Sequence, residues 1–93
     1  MSLRFEWDEA KNKANRKKHG IWFETAKTVF DDPHGRLLVE DSSVEDRFIL
    51  IGSSSDFSIL IIIHLYKEND EVVRIISARR ATKNERKFYE EGI

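Results

Sequence analysis

The stretch Ile59-Leu-Ile-Ile-Ile-His-Leu65 constrains the fold more than any other part of the chain. Side chains of a strand alternate between its two faces. Phe57, Ile59, Ile61, Ile63 and Leu65 therefore share one face, and Leu60, Ile62, His64 and Tyr66 share the other. Apolar residues on both faces mark the central strand of a sheet with helices over at least one side. The stretch is far shorter than the ~20 residues of a membrane-spanning helix. The opening Met-Ser-Leu-Arg-Phe-Glu-Trp lacks the apolar segment of a secretory signal. A cytoplasmic protein with no membrane partner is expected.

Residues 37–40, 47–52, 57–66 and 71–80 are rich in Ile, Leu, Val and aromatic side chains and read as strands. Their connections are short enough for hairpins, which makes an antiparallel meander the economical topology. Ahead of them, Leu3, Phe5 and Trp7 alternate with Arg4 and Glu6, the pattern of an opening strand. Asp8 suits an N-cap and Gly20 a C-terminal stop, which predicts a helix over 9–19. Its apolar face is thin: Ala10 and Ala14, joined by Trp7 and Ile21. Trp22, Phe23, Ala26, Val29 and Phe30 predict an amphipathic helix over 23–31, ended by the turn cluster Asp31-Asp-Pro-His-Gly35. Thr82-Lys-Asn-Glu85 fits a capping box opening a last helix, with Phe88 and Tyr89 facing inward. The order β-α-α-β-β-β-β-α describes a small α+β domain, a mainly antiparallel sheet packed by helices. At 93 residues, positions 1–93 form one domain with no room for a second core.

With 16 Lys and Arg against 17 Asp and Glu, the net charge is −1, so no bulk field draws the chain to nucleic acid. The charges are nevertheless segregated. Lys11, Lys13, Arg16, Lys17 and Lys18 form one basic block, and Arg74, Arg79, Arg80, Lys83, Arg86 and Lys87 a second. Asp31, Asp32, Glu40, Asp41, Glu45 and Asp46 lie between them. Two basic blocks remote in sequence can converge into one footprint for a polyanion. Taken from charge alone, separate solvated helix faces are the simpler account.

Several chemistries are excluded. The chain has no Cys, its four Gly are scattered rather than gathered into a phosphate loop, and His19, His34 and His64 lie on different elements. Ser53-Ser-Ser55 lacks the glycines of a nucleophile elbow. No metal site and no cofactor are expected. Basic and acidic side chains alone can cleave RNA, because the 2′-hydroxyl supplies the nucleophile and the protein adds only a base, an acid and cations. Arg79 and Arg80 end an apolar strand and point to opposite faces by strict alternation, so one can aim at a substrate groove. Local pairing with acids is the competing account. Arg47 is a second phosphate contact or a plain edge charge. His19, at a helix C-terminus, is a general acid or a capping residue. Lys18, Arg74 and Lys83 are candidate RNA contacts. His64 reads as a hydrogen-bonded core residue, Glu85 as a cap, and Trp7 and Trp22 as core.

Four segments in order resemble a known family. Phe5-Glu-Trp-Asp-Glu-Ala-Lys11 with Asn15-Arg-Lys-Lys-His-Gly20, Phe23-Glu-Thr-Ala26 with Val29-Phe-Asp-Asp-Pro33, Arg47-Phe-Ile-Leu-Ile-Gly52, and Arg74-Ile-Ile-Ser-Ala-Arg-Arg-Ala-Thr82 with Glu85-Arg86 and Tyr89 are similar to the BrnT toxins. The resemblance spans nearly the whole chain. It implies a RelE-like fold and a metal-independent endoribonuclease of a type II toxin–antitoxin pair that inhibits translation and leaves a 2′,3′-cyclic phosphate. It also implies a BrnA-like, DNA-binding antitoxin as partner, with operator DNA reached only through that antitoxin. Arg47, Arg79, Arg80 and Glu45 are carried over as catalytic candidates, and Lys18 and His19 belong to the family's N-terminal signature. A binding module that complexes an antitoxin without cleaving RNA is the alternative.

Overall fold

In the computed structural model, which describes residues 3–39 and 46–92, strand β4 (Ile59–Lys67) is the middle strand of a five-stranded sheet. The described elements follow the predicted order: β1 (Arg4–Glu6), α1 (Glu9–His19), α2 (Phe23–Ala26), β2 (Arg36–Val39), β3 (Phe48–Ser53), β4, β5 (Val72–Arg80) and α3 (Lys83–Glu91). Across the sheet the order is β1-β5-β4-β3-β2. The sheet is mixed. β2 to β5 form the expected hairpin series, but β1 lies parallel to β5, with Arg4 opposite Val72 and Glu6 opposite Arg74.

One face of the sheet carries the core. Leu50, Leu60, Ile62, Val73, Ile75 and Ala78 meet Ile21, Phe23, Ala26 and Val29 there, with Phe5, Trp7, Phe30 and Tyr66 packed around them. His64 is fully buried on this side. Its Nδ1 faces the Ile62 carbonyl at 3.2 Å and its Nε2 the Tyr66 hydroxyl at 3.3 Å. A carbonyl can only accept, so Nδ1 carries the proton and Nε2 accepts from Tyr66. Burial holds the ring's pKa below the ordinary imidazole value, and the bond to Ile62 only partly opposes this. His64 is a core residue, as its place in the apolar strand suggests.

Helix α1 forms where the sequence places it. Asp8 accepts from the Ala10 and Lys11 amides, and Gly20 takes the left-handed conformation at φ 77° and donates to the Arg16 carbonyl. Its buried face differs from the expected one: Ala10 and Ala14 are exposed, and Asn12 and Asn15 are buried. Beyond the short β1, no strand among the described residues borders the edge of β5, and Asn15 takes that place. Its Oδ1 accepts from the Ala78 amide at 3.1 Å, while its Nδ2 donates to the Ala78 and Ile21 carbonyls at 2.9 Å each. Asn12 Oδ1 accepts from the Phe23 amide at 2.7 Å, and its Nδ2 donates to Glu9 and Glu24. These residues satisfy backbone groups that would otherwise be buried and unpaired.

The second predicted helix is α-helical only over Phe23–Ala26 and tightens into a 3-10 turn over Lys27–Asp31. Phe57 does not extend β4. It occupies the β3–β4 turn at φ 65° and is 89% exposed, because the strand pairing begins at Ile59 opposite Ser53. Trp22 is likewise no core residue, with 43% of its surface exposed.

Candidate active site

Among the described residues, the other face of the sheet is covered at one end only. The capping box at Thr82 and Glu85 starts α3, which crosses the end of the sheet where Arg36, Ile51 and Ile61 lie. Arg36 stacks over the Phe88 ring at 4.5 Å, and Tyr89 donates to Asp32 Oδ2 at 2.5 Å. Burial alone would raise the Asp32 pKa, but hydrogen bonds from Tyr89, Ser53 and His34 outweigh it and hold the pKa low. The same contact pushes the Tyr89 hydroxyl up to about 12. Beside α3 runs a groove of about 570 Å³, lined by Leu38, Ile49, Ile51, Ile61, Ile63, Arg79, Asn84, Glu85 and Phe88.

Arg79 stands opposite Ile61 on this open face and forms a two-pronged pair with Glu85, Nη1 to Oε1 at 2.7 Å and Nη2 to Oε2 at 2.9 Å. Such forked pairs are short and directional. The Arg79 bond lowers the Glu85 pKa to about 2 despite partial burial, with help from the Thr82 amide. Glu85 thus both caps α3 and holds Arg79, where the sequence suggested a cap alone.

At the far end of the same face is a cationic groove of about 310 Å³, lined by Lys11, Arg47, Leu65, Lys67, Arg74 and Ile76. Leu65 lies opposite Arg74, and Arg47 precedes Phe48, which pairs with His64, so these three residues form one row. Glu6 accepts from Arg74 at 2.8 Å and from Lys67 at 3.0 Å, and these bonds lower its pKa. Lys11 belongs to the first basic block of the sequence, whereas Lys67 was not singled out there. Counting by twos from Ile59 along β4 puts Lys67 on this face.

A β-bulge brings the two ends together. Ile63 pairs with Ser77 but His64 pairs with Ile75, leaving Ile76 as an extra residue in β5. Bulges shift side-chain parity. Arg74 and Arg79, an odd number of positions apart, would face opposite sides in an unbroken strand, and here they share a face. Arg80 lies opposite Leu60 on the core side.

The structure therefore unites Arg47, Arg74 and Arg79 on one open face, with Lys11 from the first basic block beside them. Arg47 and Arg79 are four residues apart when projected onto β4, roughly 13 Å along the strand, too far to share one phosphate. His19 is the half-buried last residue of α1 and lines neither groove; Lys18 and Lys83 are exposed and line neither as well. Glu45 lies outside the described residues. Among the described residues no group of three or more His, Asp or Glu side chains is placed to hold a metal ion, and no helix is long and apolar enough to cross a membrane.

Residues 7–85 match the family described as the ribonuclease toxin, BrnT, of type II toxin–antitoxin systems. The chain belongs to the BrnT family. BrnT proteins are endoribonuclease toxins paired with an antitoxin, so RNA is the substrate class and an antitoxin the partner class. The crystal structure of the Brucella abortus ribonuclease toxin BrnT, at 1.1 Å resolution, has the same fold: TM-score 0.67 and 24% identity, over 88% of this chain and 100% of that one. No curated protein sequence matches the chain.

Proposed function

We propose that this BrnT family member cleaves RNA without a metal, on the open sheet face between the two grooves. The observation that carries the reading is the alignment of Arg47, Arg74 and Arg79 on the one face that α1 and α2 leave uncovered. Among the described residues cations gather there, and no group of three or more His, Asp or Glu is placed to hold a metal ion. The RNA backbone runs from the Lys11–Arg47–Lys67–Arg74 groove, which holds one phosphate, to Arg79, which holds the scissile one. That phosphate takes the place of Glu85 on the Arg79 fork. Released from its cation, the Glu85 carboxylate regains basicity and accepts the 2′-hydroxyl proton. The 2′-oxygen then attacks phosphorus, Arg79 stabilises the charge on the phosphorane, and the P–O5′ bond breaks as the 5′-oxygen takes a proton from water, Glu85 returning its own to solvent. The products are a 2′,3′-cyclic phosphate and a 5′-hydroxyl.

In this reading Lys18 and Lys83 attract the strand from outside the grooves, and neither His19 nor Glu45 is needed to move the proton. The fold is of the RelE-like kind, the enzyme arrests translation in the cytoplasm, and a BrnA-like antitoxin neutralises it and carries it to operator DNA. Purified protein incubated with total RNA in EDTA tests the reading: cleavage should persist and yield cyclic-phosphate ends. Arg79→Ala should abolish both cleavage and growth arrest with an unchanged circular dichroism spectrum; full toxicity in that folded variant would defeat the assignment. A second reading, a module that binds an antitoxin without cleaving RNA, is favoured by Leu37 and Val39 on the edge strand β2, which are 50% and 75% exposed. RNA left intact at every protein concentration would establish it.

A further inference from the structure

The end of the molecule away from the cationic groove carries a second feature. Two adjoining hollows, of about 220 and 460 Å³, share Ser58 and Arg80. The first is flanked by Trp22 and Arg16, whose guanidinium lies 5.7 Å from the Trp22 ring, and the second by Phe57 and Arg86. Arg80 reaches across their junction and donates to Ser58 Oγ at 3.0 Å.

Phe57 is held there against its own preferences. The turn is closed by the Phe57 amide on the Ser54 carbonyl at 3.0 Å and the Ser54 amide on the Ser58 carbonyl at 2.9 Å. Asp56 is tied into the same turn by Ser54 and Ser58. At φ 65° the position suits glycine, and a bulky aromatic residue there is an outlier. The ring gains nothing in return from the fold, since it is almost fully exposed. The turn thus presents a bulky aromatic ring to the outside of the molecule, where strain of this kind points to a contact surface.

We infer that Phe57, Arg80 and Trp22, with Arg16 and Arg86 beside them, form a platform for single-stranded RNA flanking the cleavage site. The inference rests on RNA being the substrate and gives Arg80 a place on the strand's path rather than in the chemistry. Alternating rings and guanidiniums suit a strand that stacks its bases and pairs its phosphates without reading sequence. A protein partner is less well matched, because among the described residues the exposed aliphatic cluster, Leu37, Leu38 and Val39, is on β2 and not here. Asp56 and Glu90 also border the hollows, but Asp56 already accepts hydrogen bonds within its own turn.

The test is binding of a fluorescein-labelled, 2′-O-methylated RNA 12-mer, which lacks the attacking hydroxyl. Phe57→Gly should raise the melting temperature yet weaken binding about tenfold, the loss expected of one stacked base. Trp22→Ala should weaken binding similarly, and Phe57→Trp should restore it. Unchanged affinity in both Phe57→Gly and Trp22→Ala overturns the platform. So does unchanged RNA affinity with a loss confined to antitoxin binding, which would assign the surface to protein. Wild-type protein that cleaves RNA in EDTA but shows no dependence on these rings leaves the catalytic reading standing without the platform. Ring-dependent binding with no cleavage does the reverse.

Discussion

Replacing Asn15 by Ala should be strongly destabilising, because its buried carboxamide bonds the open edge of β5. Its carboxamide makes three buried bonds, to the Ala78 amide, the Ala78 carbonyl and the Ile21 carbonyl. Truncation leaves a buried N–H unpaired and removes a partner from two carbonyls. One unsatisfied buried group costs about 1–3 kcal/mol, and a carbonyl with a spare lone pair costs toward the low end. A total of about 3 kcal/mol is expected, which lowers the melting temperature of a domain this size by about 12–24 °C. Thermal denaturation followed by circular dichroism measures it. Asn15→Asp should do no better, since a carboxylate can accept from the Ala78 amide but cannot donate to either carbonyl. A loss under about 1 kcal/mol in both variants would refute the view that this amide stands in for a missing strand.

Three further outcomes are expected. A Cβ on Gly52 would lie 2.8 Å from Val29 Cγ1 and 3.0 Å from Asp32 Oδ2, so Gly52→Ala should destabilise by about 1–3 kcal/mol in urea titration. The Arg79 bond holds the Glu85 carboxyl at about 2, below the usual carboxylate range; a depressed carboxylate stabilises above its unfolded pKa and loses that contribution as pH drops through about 2. Melting temperature between pH 5 and 2 should therefore fall less steeply in Glu85→Gln than in the parent. Arg47→Ala should weaken RNA binding irrespective of sequence and make the log–log salt dependence shallower by about 0.7, the value for one single-strand phosphate contact; an unchanged slope would remove Arg47 from the RNA path.

Much of the fold was legible because its signals are local. Asp8 and Gly20 bound α1, Thr82 and Glu85 open α3, and the doubly apolar run gives β4 its central place. The failures share a cause, which is partners distant in sequence. Asn15 is buried for the sake of Ala78, sixty-three positions on, and no helical periodicity reveals that. Phe57 continues the alternation of β4 by coincidence, while the hairpin register ends the strand two residues later. The candidate site was half legible. Arginine at the strand end and a converging basic block could be read from composition and order, but strict alternation could not place Arg74 with Arg79, since the extra residue Ile76 resets the count. The Arg79–Glu85 pair was hidden because the carboxylate already had a local explanation, and its two oxygens serve both roles.

The pairing of β1 with β5 also has a consequence for how the protein is made. The opening strand must wait, with its hydrogen-bonding edge unclaimed, until Val72, Val73 and Arg74 have been synthesised to receive it. Contacts of such long sequence separation close late in folding. The sheet can therefore be completed only after β5 has been synthesised, and Glu6 reaches Arg74 only then. Whatever chemistry the finished sheet supports must wait for that closure.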